Sequence, residues 1–263
     1  MHTQGTITDK MRSELIDSKV HYELVLDGLG LELNPLIGQS IVLEFSGRSS
    51  CLNCGDRKVF KQGYCFVCTQ KLPQCDFCIL SPDKCHYDQG TCRDDSFAKK
   101  HCFIPHIVYL SLSSHVKVGV TRKGNEKTRW VDQGAVAGLP IFVTQDRKTA
   151  GLLEVDLKSI FSDKTSWQRM LKGVPSEESS VLEQKRLMAY EATPQWDDQR
   201  VASDLTEIDY PVNEYPTKIK SYNIDKTPKI EDKLLGIKGQ YLIFENAVLN
   251  IRKFQGYQLQ IIF

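Results

Sequence analysis

The nine cysteines, all between Cys51 and Cys102, are the residues whose types and spacing most clearly imply chemistry. Six of them form Cys-x-x-Cys pairs, and a two-residue spacer lets a tight turn direct two thiolates at one tetrahedral cation about 2.3 Å away. The spacing therefore predicts structural zinc. The candidate ligands are Cys51, Cys54, Cys65, Cys68, Cys75, Cys78, Cys85, Cys92 and Cys102.

Two other uses of these cysteines fit less well. A disulfide framework requires an oxidising compartment, but the chain begins Met-His-Thr-Gln-Gly with no apolar signal segment, and we expect a cytoplasmic protein. An odd count of nine would also leave one thiol unpaired. A thioredoxin-like redox site requires one Cys-x-x-Cys motif that opens a helix, whereas this chain has three in succession.

The cysteines suffice for two zinc ions. Cys51, Cys54, Cys65 and Cys68 follow the pattern C-x2-C-x10-C-x2-C of a zinc ribbon or treble-clef knuckle. Four thiolates leave no open coordination position, so this site is structural. Five cysteines remain for a second ion, and His86 and His101 each adjoin one of them. Spacing favours Cys75 with Cys78, yet Cys78, Cys85, Cys92 and Cys102 would close a loop equally well.

Charge is balanced overall but not locally. The 34 basic and 33 acidic residues produce no global field that would attract nucleic acid, and no apolar stretch is long enough to cross a membrane. Between His115 and Trp130, however, five basic residues face one acid, Glu126. This run is either a solvated loop or a nucleic-acid contact. The candidate contacts to DNA or RNA are Lys117, Arg122, Lys123, Lys127, Arg129 and Trp130.

The elements that must position these residues predict an α+β protein. Alternating strands at both ends of the chain cannot persist as isolated ribbons, so we expect them to pair into a small antiparallel sheet or barrel. The predicted segments are N-terminal strands at 1–48, a cysteine-rich module at 49–103, an α/β core at 104–172, a helical and loop connector at 173–235 with a helix near 176–190, and C-terminal strands at 236–263.

A hairpin opens the α/β core. His106–Leu112 and Val116–Thr121 alternate with period two, and a three-residue loop at 113–115 aligns their apolar faces. This register places Tyr109 opposite Gly119 and Ser111 opposite Lys117. Because Gly119 has no side chain, we expect space for a groove beside the tyrosine.

Two helices are predicted after the hairpin. Asn125 can cap the first, which carries Arg129 and Gln133 on one face. The second, at 149–161, places Glu154 at the flank of its apolar stripe. Glu154 is either an ordinary boundary residue paired with Lys158 or part of a site.

The order of these residues resembles the core of the GIY-YIG nuclease superfamily over residues 104–165. The resemblance implies that Tyr109 and Gly119 are motif residues, that Arg129 stabilises phosphorane charge and that Glu154 binds Mg²⁺ or Mn²⁺. It also implies that Tyr109 orients or deprotonates water. Lys117 stands where active members carry a second tyrosine, which implies an altered or lost hydrolytic activity.

Across most of its length the chain also resembles an uncharacterised bacterial family, a domain of unknown function. The match rests on Cys51-x-x-Cys54, Gly90-Thr-Cys-Arg93, His106-x-Val-Tyr-Leu110, Lys117-Val-Gly-Val-Thr-Arg122 and Thr128-Arg-Trp-Val-Asp-Gln-Gly-Ala135. We therefore expect a zinc-stabilised nucleic-acid-binding protein with a degenerate nuclease-like core. The alternatives are an active Mg²⁺- or Mn²⁺-dependent phosphodiesterase and a zinc-organised protein-interaction scaffold.

Overall fold

The computed structural model describes residues 2–263 and shows a mixed α+β protein. Its strands are β1 (His2–Thr6), β2 (Arg12–Ile16), β3 (Lys19–Leu26), β4 (Leu29–Glu32), β5 (Ser40–Ser49), β6 (His106–Leu112), β7 (Val116–Arg122), β8 (Ala137–Thr144), β9 (Thr206–Glu207), β10 (Lys229–Lys238), β11 (Tyr241–Phe244), β12 (Val248–Asn250) and β13 (Tyr257–Ile262). Its α-helices are α1 (Phe66–Lys71), α2 (Asp95–His101), α3 (Glu126–Asp132), α4 (Arg147–Leu157), α5 (Trp167–Met170) and α6 (Val181–Ala192).

The chain divides into two compact units. The first contains residues 1–69, 171–173 and 209–263, and the second contains residues 70–170 and 174–208. The division falls between Thr69 and Gln70, inside the cysteine-rich segment. The first four cysteines therefore belong to one unit and the last five to the other.

The first unit contains two antiparallel sheets. Six strands pair in the order β1-β13-β5-β10-β11-β12, which confirms that the two ends of the chain share one sheet. The sheet is open, with β1 and β12 at its edges, and the barrel alternative is therefore wrong. A second sheet has the strand order β2-β3-β4 and contains the polar strand β2.

The second unit is built on a four-stranded antiparallel sheet in the order β7-β6-β8-β9. Its hairpin has the predicted register, because Tyr109 pairs with Gly119 and Ser111 pairs with Lys117. The helices α4 and α6 cover the sheet, and their apolar side chains complete its core. Along the chain the elements follow as β6-β7-α3-β8-α4.

Helix α4, which carries Glu154, begins at Arg147, two residues before the predicted start. Asp146 caps it, since its Oδ1 accepts a hydrogen bond from Thr149 N at 2.9 Å. The predicted cap of α3 is wrong in one respect. Asn125 occupies the cap position but its side chain makes no capping bond, and its Nδ2 donates to Thr121 Oγ1 instead. Within residues 2–263, no helix is both long and apolar enough to span a bilayer.

Candidate metal centre and polar site

Two turns of the first unit bring Cys51, Cys54, Cys65 and Cys68 together. Cys51 follows the end of β5, and Gly55 N donates to Cys51 O at 2.8 Å to close the first turn. In the second turn Gly63 adopts a φ of 82°, a conformation that glycine tolerates best. Its carbonyl accepts from Leu52 N, which joins the two turns. Helix α1 then begins directly after Cys65.

The four sulfur atoms of this cluster fit a zinc ion. All lie within 4.8 Å of one another, and Cys54 Sγ lies 3.9 Å from Cys65 Sγ. A tetrahedron with Zn–S bonds of about 2.3 Å has S–S edges of about 3.8 Å. The donor set is therefore already close to the size that zinc requires.

The surroundings of Cys51 and Cys65 favour thiolates. The backbone N–H of Cys68 donates to Cys65 Sγ and lowers the pKa of Cys65. Burial raises the pKa of Cys51, but backbone N–H groups of Cys54, Cys65 and Asn53 outweigh that effect and lower it to about 6. At Cys68 the hydrogen bond from Asn53 Nδ2, 3.3 Å from Sγ, lowers the pKa, but burial and the neighbouring cysteine sulfurs outweigh it and raise the pKa to about 12. Such N–H donors are the outer shell that stabilises thiolate ligands.

A second group of potential ligands lies in the second unit. Asp76, Cys78 and His86 have ligand atoms within 4.8 Å of one another. Asp76 is buried, however, and its carboxylate is already paired with Arg93 Nε at 2.9 Å and with His86 Nε2 at 3.4 Å. Asp76 therefore holds this segment together through its two ion pairs. A metal ion at its carboxylate oxygens would have to displace Arg93.

The remaining thiols of this segment influence one another. Burial raises the pKa of Cys78 to about 11, and charges on Cys85 and Cys102 add to the effect. Burial also raises the pKa of Cys102, and the charges of Cys85 and Cys92 add to this rise. His101 is engaged elsewhere, because its Nδ1 lies 2.8 Å from an Arg122 guanidinium nitrogen.

A group of polar side chains, called the polar cluster, lies at the β6–β7 hairpin of the second unit. Its members are Tyr109, Lys117, Arg129 and Glu154. Tyr109 is fully buried there, and its hydroxyl donates to Gln133 Oε1 at 3.1 Å. The expected groove beside Gly119 is filled, because a Cβ on Gly119 would come within 2.6 Å of the Tyr109 hydroxyl oxygen. Burial raises the pKa of Tyr109, so its side chain is a neutral phenol at pH 7.

Lys117 lies beside this tyrosine and is only 3% exposed. Its Nζ donates to Thr165 Oγ1 at 2.7 Å, and a backbone bridge to Ser162 covers the strand. Burial and the charge of Arg129 lower the pKa of Lys117 to about 7. A lysine that is largely desolvated, and therefore only about half protonated at pH 7, is typical of functional sites.

Arg129 and Glu154 complete the polar cluster. Arg129 makes a hydrogen bond to Tyr109, and its charge reaches Lys117 and Glu154. Burial raises the pKa of Glu154, whereas Lys158, at 3.2 Å from Glu154 Oε2, opposes that rise. Lys158 also lies 3.2 Å from Asp163 Oδ2. The four residues that the sequence singled out thus share one electrostatic network.

Three buried polar atoms of this region have no hydrogen-bond partner within residues 2–263. They are Arg129 Nε, Trp130 Nε1 and Ser111 Oγ, and the register pairs Ser111 with Lys117. Buried polar groups are rarely left unsatisfied, and such exceptions often mark a place where a ligand binds. Because Arg129 Nε is a donor, its missing partner would be an acceptor, as an anion is.

The other predicted nucleic-acid contacts divide into exposed and buried residues. Arg122, Lys123 and Lys127 are exposed on β7, the following turn and α3. Trp130 is 2% exposed and packs edge-on against Tyr109. Its ring therefore cannot stack on a base in this arrangement, although the sequence analysis offered it for that role.

The residues that enclose this cluster could not be predicted from sequence patterns. Thr165 and Asp163 come from the loop after α4, and their distance along the chain gave no signal that they would reach Lys117 and Lys158. Gln133 was placed on the face of Arg129, but its bond to Tyr109 depends on the fold of the unit. Lys158 was the one partner that the i,i+4 spacing indicated correctly.

Comparison with known proteins gives one match. No curated protein and no solved structure matches the chain. The model of the family described as "Protein of unknown function (DUF2797)" matches residues 38–259, which include all nine cysteines and the polar cluster. The chain therefore belongs to this family of proteins of unknown function.

Proposed function

We propose that this chain binds nucleic acid through its phosphate groups at the polar cluster, on a core related to the GIY-YIG nucleases but altered at Lys117. The observation that carries the proposal is Arg129 Nε, a buried donor that has no hydrogen-bond partner within residues 2–263 and lies in one network with the buried Lys117 side chain. Phosphate oxygens are such acceptors, and arginine is well suited to bind them.

Exposed basic residues at the rim support this proposal. Arg122, Lys123 and Lys127 lie on the same hairpin and helix as Lys117 and Arg129. Positive charge around a buried donor set attracts phosphates and fixes their register, while the bases themselves need not be read. The strand order β7-β6-β8 and the succession β6-β7-α3-β8-α4 are compatible with the nuclease-like core.

A binding titration tests the proposal. Labelled DNA and RNA of about 20 nucleotides would be titrated at several salt concentrations, since each phosphate contact contributes about 0.7–0.9 to the slope of log K against log salt. We expect Lys123→Ala/Lys127→Ala to weaken binding and to reduce this slope by about 1.5. The control, Lys218→Ala/Lys220→Ala, removes the same charge from exposed positions of the other unit and leaves the slope unchanged. A wild-type slope near zero would refute the proposal.

Hydrolysis is the second candidate, and the pKa of Lys117 favours it. An amine whose pKa is about 7 can accept a proton at neutral pH, which an ordinary lysine cannot. Tyr109, as a neutral phenol, would orient the attacking water rather than deprotonate it. Arg129 would stabilise the charge of the phosphorane.

The position of Lys158 weighs against a divalent ion at Glu154. Its ammonium lies between the carboxylates of Glu154 and Asp163, where a cation would bind. If Mg²⁺ or Mn²⁺ does bind, Glu154 would be its protein ligand and water would complete the coordination. Cleavage of labelled DNA or RNA with either metal, lost in Glu154→Ala, would establish the nuclease. Cleavage by neither protein would leave binding as the function.

The cysteines serve this function as a scaffold. Zinc at Cys51, Cys54, Cys65 and Cys68 would close the knuckle of the first unit, and a four-thiolate ion is structural. We propose a second structural zinc in the second unit, with ligands among Cys75, Cys78, Cys85, Cys92 and Cys102; Cys78, Cys85, Cys92 and Cys102 are one set that the spacing allows. The same scaffold could serve a protein partner, which the titration distinguishes by the absence of any binding to DNA or RNA.

A further inference from the structure

Two phenylalanine rings project from the zinc knuckle into solvent. Phe60 is 64% exposed and Phe66 is 59% exposed, and their ring centroids lie 5.5 Å apart in an edge-to-face arrangement. Single exposed apolar residues are common, but two large rings in mutual contact form a small apolar patch. Most of the surface of each ring is open to a ligand.

The knuckle holds these rings in place. Phe60 N donates to Tyr64 O across the turn that Gly63 permits, and Phe66 opens α1 directly after the ligand Cys65. Both rings are thus anchored within a few bonds of the cysteine cluster. A ring fixed by its backbone loses little conformational entropy when it binds, so the patch is preorganised.

Positive charge surrounds the rings. Arg57, Lys58 and Lys61 are exposed, and their side chains form no ion pair within residues 2–263. Between Cys51 and Thr69 the one acidic residue is Asp56. Rings that can stack, interleaved with unpaired cations, match a ligand that joins aromatic bases by phosphates.

We infer that Phe60 and Phe66 stack on the unpaired bases of a single-stranded nucleic acid, while Arg57, Lys58 and Lys61 contact its phosphates. Stacking on aromatic side chains requires bases that are not already paired in a duplex. The surface lies in the first unit and involves none of the hairpin residues. It also supplies the stacking that Trp130, buried in the second unit, cannot.

This inference concerns the same class of ligand as the proposed function but rests on separate residues. The two can therefore fail independently. If the hairpin variant Lys123→Ala/Lys127→Ala binds normally while the ring variants do not, the knuckle is the binding surface and the hairpin proposal fails. The reverse result would retain the hairpin and overturn the inference about the rings.

Three ring variants of the full zinc-loaded chain test the stacking. Phe60→Ala/Phe66→Ala removes the rings, Phe60→Leu/Phe66→Leu keeps apolar bulk without a π face, and Phe60→Trp/Phe66→Trp keeps the π face. Each would be titrated against labelled single-stranded DNA and RNA of about 12 nucleotides and against duplex DNA. Zinc content would be measured for each protein, and the Leu and Trp variants decide the result if the Ala variant loses zinc.

We expect the Ala and Leu variants to lose about tenfold or more in affinity for single strands, since each stacked base contributes a factor of that order. The Trp variant should bind like the wild type, and duplex DNA should bind less tightly than either single strand. Wild-type affinity in the Leu variant would overturn the inference, because an apolar contact would then suffice. Equal affinity for duplex and single strands would overturn it as well.

Discussion

The hydroxyl of Tyr109 lies over Gly119 on the neighbouring strand, where a Cβ would come within 2.6 Å of the hydroxyl oxygen and 2.7 Å of Cζ. The tyrosine is fully buried and hydrogen-bonded to Gln133, so the ring has no free space into which it can turn. Gly119 thus leaves the space that the Tyr109 ring occupies, and the two residues pack against each other across the hairpin.

Substitution of Gly119 by alanine should therefore destabilise the protein. A methyl group that overpacks a full core costs about 1–3 kcal/mol, and denaturant unfolding would measure the loss. The same change in a Tyr109→Ala background should cost much less, because the ring it collides with is gone. An additive double mutant would show that the contact with Tyr109 is not the cause.

The cysteines should hold two zinc ions in separable sites. We expect Cys54→Ser to lower the zinc content by one equivalent and Cys92→Ser to remove the other, while Cys75→Ser retains both if the second set is Cys78, Cys85, Cys92 and Cys102. The physical reason is that a tetrahedral ion requires all four of its thiolates. Elemental analysis of the purified variants measures the stoichiometry. One zinc in the wild type, lost only in Cys54→Ser, would contradict the second site.

Replacement of Lys117 by methionine should stabilise the protein in a pH-dependent way. The folded pKa of Lys117 is about 7, below its ordinary 10.5, so the unfolded chain binds more protons between these values. The cost of burying the ammonium is therefore complete below pH 7 and disappears as the pH rises to about 10.5. We expect a gain of up to about 5 kcal/mol at pH 6, since the pKa is lowered by about 3.5 units and each unit corresponds to about 1.4 kcal/mol. Urea unfolding at pH 6 and at pH 10 would measure it.

Lys238 offers a matched control for this experiment. It is fully buried in the first unit, its Nζ donates to Gly173 O at 3.0 Å, and burial lowers its pKa to about 8. Lys238→Met should show a similar dependence of stability on pH but leave nucleic-acid binding unchanged. Equal loss of binding in both variants would mean that Lys117 has no special role.

Removal of Lys158 should raise the pKa of Glu154 further. The ammonium lies 3.2 Å from both Glu154 and Asp163, and its charge and hydrogen bond hold the pKa of Glu154 down against burial. In Lys158→Ala the two carboxylates would repel each other, and NMR titration of the Glu154 side chain would show the rise. Lys148→Ala removes a lysine of the same helix that pairs with exposed Asp88, and it should leave Glu154 unaffected. An unchanged pKa in Lys158→Ala would contradict the pairing.

The local parts of this structure followed from sequence and the long-range parts did not. Alternation in two strands and an odd loop set the register of Tyr109 against Gly119, because side-chain direction in a strand depends only on parity. The burial of Lys117 depends on residues 162–165, which follow α4 and return to β7. No pattern near Lys117 encodes that return.

Helix α4, which carries Glu154, packs against the cysteine-rich segment of its own unit. Gly151 of α4 meets the turn at Pro82, where a Cβ would come within 2.6 Å of the proline, and Arg147 N donates to Cys102 O at 2.8 Å. A ligand that displaces α4 must therefore disturb the geometry of the thiols. Thermodynamic linkage makes this influence reciprocal: if the ligand lowers the affinity of the cysteines for an ion, the bound ion lowers the affinity for the ligand by the same factor. Removal of the ion would then strengthen the binding of such a ligand without touching any residue that contacts it.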